Sequence, residues 1–194
     1  MTKCIALSNI DDALTCENLD NMGGLVPRII FGFHEDVSVW PTLPDVAAVN
    51  PLTLDAAGVL TGDVVMKNDT SAYVMDFTED TGEFKITGQG EIGGESFLYD
   101  LTIIAAKMRK KIFGFENATK GRKMFFIVQD NNGKYYLMGD KRNGAKRVSG
   151  DGATTGANAA ARNQNSLHYT YNSPRKFVYE GDVVNLLTVV PSVP

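Results

Sequence analysis

Between residues 83 and 92 apolar and polar side chains alternate: Phe84, Ile86 and Ile92 fall on one side of a period of two, and Glu83, Lys85, Thr87, Gln89 and Glu91 on the other. A helix would smear that pattern round its whole surface, so the segment predicts a strand with one dry face and one wet face. The same period continues beyond Gly93-Gly94 in Phe97, Tyr99, Leu101 and Ile103. Phe97, Leu101, Ile104 and Met108 also fit helical spacing there, and strand is the preferred reading. Two apolar runs, residues 124–129 and 134–139, flank Asp130-Asn131-Asn132-Gly133, and Asn-Gly between such runs is a strong hairpin signal. Further strands are expected at 64–67, 72–78, 168–171, 176–179 and 183–190, with Glu79-Asp80-Thr81-Gly82 as the turn after the second. Residues 26–33 and 37–40, bent at Gly32 and His34-Glu35-Asp36, predict an early hairpin.

The β pattern is interrupted in three places. Ala105, Ala106, Met108, Ile112 and Phe113 recur at helical spacing with Lys107, Arg109, Lys110 and Lys111 opposite, which predicts one helix over 105–117. Residues 41–62 carry Pro41, Pro44 and Pro51 without a sustained period and read as a long excursion. Residues 147–165 are rich in Gly, Ala, Thr, Ser and Asn and read as a loop. With 194 residues, no internal repeat and no splitting linker, the expectation is a single mainly β domain: a sandwich or barrel of antiparallel strands, one flanking helix and a long early loop.

Charge and motifs remove several functions. Nineteen basic against 23 acidic residues give a net charge of −4, which lacks the electrostatic footprint of a nucleic-acid grip. Apolar stretches such as 183–190 fall short of a membrane helix, and Asp11-Asp12 interrupt any signal peptide, so the chain is expected to be made and kept in the cytoplasm with no membrane partner. Cys4 and Cys16 are expected to be ordinary thiols, since two cysteines build neither a disulfide framework nor a zinc site, with a single N-terminal staple as the alternative. Gly88-Gln89-Gly90-Glu91-Ile92-Gly93 matches a dinucleotide fingerprint in letters, but strand is expected on both sides of it and Glu91 would repel phosphate. His34 beside Glu35 and Asp36 reads as a solvated bend, and His168 as a strand residue. Asp76, Asp80 and Gly82 miss the spacing of a calcium loop. No catalytic residue, cofactor or metal is expected; a carboxylate pair such as Asp76 and Glu91 is the alternative that would make the chain a hydrolase. The cationic set Lys107, Arg109, Lys110 and Lys111 is either a solvated helix face or the complement of Glu79, Asp80, Glu83 and Glu91 on a neighbouring copy.

Cys16-Glu17-Asn18-Leu19-Asp20-Asn21-Met22-Gly23-Gly24, running into residues 26–31 and then Glu35-Asp36-Val37, resembles the opening of virion structural proteins of tailed bacteriophages. The order of hairpins, long loop, Gly-Gly-linked strands, single helix, Asn-Gly hairpin and closing strands is similar to that of tail-tube proteins. The resemblance implies a ring-forming homo-oligomer, hexameric as is typical of the family, stacked into a hollow conduit in the phage tail. Its partners would be further copies and other tail or neck proteins, with DNA only as non-specific passing cargo. It also implies that Glu83, Thr87, Gln89 and Glu91 face a polar, net-acidic lumen, with Lys85 departing from that lining. Trp40, Pro44, Leu52 and Leu54 would belong to an inter-ring loop at 40–62, Lys107, Arg109, Lys110 and Lys111 would supply charges between subunits, and residues 1–20 an assembly arm. Two alternatives stay open: another neck, tail or head-decoration protein, and a monomeric β-barrel that binds a small apolar ligand under a lid at 149–165.

Overall fold

The run Met124 to Val128 is buried along its whole length, which requires a strand covered on both faces. In the computed structural model, which describes residues 5–10, 21–46, 51–148 and 152–187, this strand lies inside a six-stranded sheet with a paired strand on each side. The elements are β1 (Leu25–Phe33), β2 (Val37–Val39), α1 (Leu54–Ala57), β3 (Val59–Leu60), β4 (Val65–Met66), β5 (Tyr73–Asp76), β6 (Glu83–Gln89) and β7 (Ser96–Ala106). They continue as α2 (Lys110–Thr119), β8 (Met124–Asp130), β9 (Tyr135–Met138), β10 (Lys146–Arg147), β11 (Ala153–Thr154), β12 (Gln164–Ser173), β13 (Val178–Tyr179) and α3 (Val184–Leu187).

The six-stranded sheet runs β3-β13-β9-β8-β1-β5, a second sheet runs β10-β12-β7-β6 with β11 also on β12, and β2 pairs with β4 as a small ribbon. Every pair is antiparallel except β13 with β3. Phe126 of β8 meets Tyr169 of β12 at 4.5 Å between ring centroids, which places the main core between the two large sheets. Tyr99, Leu101, Ile103, Val128 and Leu167, all fully buried, fill the same cluster. The alternate residue Phe125 packs edge-on against Trp40 at 6.0 Å on the opposite face. Each such side chain contributes about 1.5–3 kcal/mol on burial. The sheets are stitched at two corners, where the Thr78 amide donates to the Ile104 carbonyl at 2.9 Å and Met124 exchanges backbone hydrogen bonds with Ala145. The result is a β-sandwich partly closed toward a barrel.

The hairpin predicted at Asn131-Gly133 is present as β8–β9, with Gly133 at φ 83° and Gln129 opposite Tyr135. Asp130 holds the turn, its carboxylate accepting from the Asn132 and Lys134 amides at 3.0 and 2.8 Å. Other expectations are corrected. Residues 26–33 and 37–40 do not pair with each other: β1 lies between β5 and β8, and β2 pairs with β4. The helix begins at Lys110, not residue 105, because Ala105 and Ala106 finish β7 opposite Asn165 and Gln164, and Lys107 then turns away at φ 63°. Ile92 does not share the dry face of Phe84 and Ile86. Gly90 at φ 95° ends β6, and Ile92 stands 98% exposed in the turn.

The segment after residue 182 forms α3 instead of a strand, since Asp182 caps it by accepting from the Val184 and Asn185 amides at 2.8 and 3.2 Å. The excursion at 41–62 is no free loop: Thr42 pairs with Thr61, α1 is capped by Thr53, and β3 forms an edge of the six-stranded sheet. Within 147–165, Arg147 belongs to β10, Ala153 and Thr154 form β11, and β12 begins at Gln164. Cys4, Cys16 and most of the expected N-terminal arm lie outside the described residues, as do residues 188–190 of the last expected strand.

Candidate functional site

The outward face of the second sheet is built by cross-strand register. Glu83 of β6 lies opposite Thr102 of β7, which lies opposite His168 of β12; the next row is Lys85, Asp100, Thr170 and then Lys146 of β10; the next is Thr87, Leu98 and Asn172. Glu83, Lys85, Thr87 and Gln89 are all exposed. The Gln89 amide donates to Asn172 Oδ1 at 2.7 Å and to Ser96 Oγ at 3.2 Å, across the whole width of β7. His168 Nε2 lies 2.7 Å from Asp100 Oδ1.

Glu83 and Asp100 are matched by Lys85 and Lys146, and Lys85 stands directly opposite Asp100. The strand part of this face is therefore charge-balanced, and Glu91 is absent from it because it lies in the β6–β7 turn. Sequence reasoning placed β6 on a wet face but missed the β7 and β12 contributions. The alternation Ser166, His168, Thr170, Asn172 was the available signal. On the opposite face of β6, Phe84 and Ile86 are half-buried, with Phe84 5.1 Å from the Tyr136 ring. β6 ends its sheet, so its outer backbone edge has no strand beside it among the described residues.

The expected intersubunit cations are all exposed and form no ion pair with a described residue. Lys107 and Arg109 precede the helix, while Lys110 and Lys111 occupy its first turn, where the helix dipole disfavours a cation. The acidic set is split: Glu79-Asp80 sit at the end of the sheet where β7 runs out to Lys107, and Glu91 sits at the other.

Of the loop candidates, Trp40 packs on His34 and Phe125 of its own chain, the Pro44 carbonyl accepts from Arg175 at 3.0 Å, and Leu52 bridges to Ile5. Leu54 is half-buried in α1. His34 is no simple solvated bend, because its Nε2 lies 2.6 Å from the Asp140 carbonyl. Asp76 is paired with Arg28 at 2.8 Å on the six-stranded sheet, whereas Glu91 tops the β6–β7 hairpin, so that carboxylate pair is not brought together. The glycine fingerprint is a hairpin turn: Gly88 lies within β6, Gly90 and Gly93 have φ of 95° and 92° beyond its end, and a strand follows.

No group of three or more His, Cys, Asp or Glu side chains among the described residues is placed to hold a metal, and no helix there is long and apolar enough to cross a membrane. No family model matches the chain, and neither curated proteins nor solved structures give a match.

Proposed function

We propose that this chain is a non-enzymatic structural subunit of a phage virion, a tail-tube subunit that closes into rings and stacks into a conduit for DNA. The observation that carries the reading is β6: a seven-residue strand whose outer edge is unpaired among the described residues, with half-buried Phe84 and Ile86 behind it and a broad polar sheet face in front. An edge of that length left open is a template for another strand, and a neighbouring copy that covers it turns an aggregation hazard into an assembly joint.

The polar face suits a lumen. Lys85 and Lys146 share their row with Asp100 and Glu83 stands in the next row, so the face carries no net positive charge and passing DNA is not retained. Lys107, Arg109, Lys110 and Lys111, which pair with no described residue, give a copy's neighbour an electrostatic target at little cost to the fold. The rival ligand-binding barrel has its centre filled by Tyr99, Phe126 and Tyr169, which favours the structural reading. Sedimentation velocity of the full chain over a wide concentration range tests the proposal. Growth from 21.1 kDa into rings and stacks is expected, and a monomer at every concentration overturns it.

A further inference from the structure

The β6–β7 turn, Gly90-Glu91-Ile92-Gly93-Gly94-Glu95, presents the most exposed large apolar side chain of the described residues, Ile92 at 98%, between two exposed glutamates. No described residue packs against it. Gly90 cannot be replaced without strain, since a Cβ there would lie 2.6 Å from the Gly94 carbonyl oxygen. The turn is thus tightly shaped around a side chain that folding leaves in water.

The same chain carries a cleft of opposite character. Leu43 and Pro174 wall it, Tyr171 and Phe177 lie beneath, and its volume is ≈ 510 Å³. Lys141, Arg142 and Arg175 stand around it. Lys141 and Arg142 are exposed and have no ion-pair partner among the described residues. Asp140, the one carboxylate in the lining, is occupied by the Tyr171 hydroxyl at 2.8 Å and by the Arg142 and Asn143 amides.

From this complementarity we infer that the β6–β7 turn of one copy docks in the Leu43–Phe177 cleft of the next, Ile92 entering the apolar interior while Glu91 and Glu95 meet the cationic rim. The contact rests on the self-assembly reading and names a joint within it. Its form is that of an interface hot spot, an apolar anchor ringed by polar pairs. It is also heterologous, since the turn and the cleft are different surfaces of one chain, and such contacts generate rings or filaments instead of closed dimers.

The test is sedimentation velocity and electron microscopy of the full chain with Ile92→Asp, with Glu91→Lys/Glu95→Lys, with Lys141→Glu/Arg142→Glu, and with the two charge reversals combined. All these side chains are exposed, so the subunit is expected to keep its melting temperature. Ile92→Asp is expected to raise the assembly concentration about tenfold or more. Each charge reversal should weaken assembly, and their combination should restore it. Assembly of the wild type that Ile92→Asp and each charge reversal leave unchanged overturns this contact and leaves the structural function standing. A wild type that never assembles overturns both.

Discussion

Replacing Glu116 by alanine should destabilise the subunit far more than removing the acidic partner of another ion pair on the same molecule. Glu116 lies on α2 with its side chain 13% exposed, holds Arg147 of β10, itself 31% exposed, and accepts from the Asn165 side-chain amide at 3.0 Å. Asn165 is fully buried, so Glu116→Ala leaves its donor without an acceptor, a loss of about 1–3 kcal/mol. Arg147 reaches water and recovers part of its hydration, so the whole change is about 2–3 kcal/mol, less a few tenths from the better helix propensity of alanine. Glu35 pairs with Arg122 at 65% and 42% exposure, where removal costs at most about 1 kcal/mol. Urea denaturation of wild type, Glu116→Ala, Glu116→Gln and Glu35→Ala measures the differences. Glu116→Gln keeps an acceptor and should lose less than half as much as the alanine variant. If Glu116→Ala and Glu35→Ala prove equally mild, the claim that this carboxylate fastens α2 to the sheet is wrong.

Burial first, and for Tyr171 the neighbouring Asp140 as well, raises the phenol pKa of Tyr99, Tyr169, Tyr171 and Tyr179 above the ordinary value. A folded pKa above the unfolded one gives stability that is complete below pH ~10 and is lost as pH rises from there through the folded pKa, at a limiting slope of about 1.4 kcal/mol per pH unit per tyrosine; denaturation midpoints flat through pH 10–12 would refute this. Gly32→Ala should cost about 1–3 kcal/mol, because a Cβ there would lie 2.6 Å from the Phe125 ring, which Trp40 backs; a wild-type melting temperature would contradict it. Lys107→Glu/Arg109→Glu/Lys110→Glu should weaken assembly without lowering the melting temperature, and unchanged assembly on light scattering would remove these cations from the joint.

The parts of the fold legible in the sequence were those set by neighbours in the chain. Asn-Gly fixed the β8–β9 hairpin, since φ at Gly133 and the Asp130 carboxylate are local matters. Alternation placed Glu83, Lys85, Thr87 and Gln89 on a wet face for the same reason. Pairing between distant strands was not legible: β1 lies between β5 and β8, and nothing in residues 26–40 distinguishes that from a local hairpin. The helix start failed because Ala105 and Ala106 satisfy both periods, and only the partners Asn165 and Gln164 decide for strand. Asp182 before Val183 and Val184 was a readable cap signal outweighed by the apolar run that follows.

The polar face shows the same division. Its β6 row was visible, while Asp100, Thr102 and His168 join it through the register of β6, β7 and β12. The excursion at 41–62 looked free because Val59 and Leu60 find their partner more than a hundred residues later, in β13.

Negative-stain electron microscopy of the purified full chain at increasing concentration tests the central claim most directly. The account predicts rings and stacked hollow tubes, with the β6 face lining the lumen. Monodisperse 21.1 kDa particles at every concentration would contradict it.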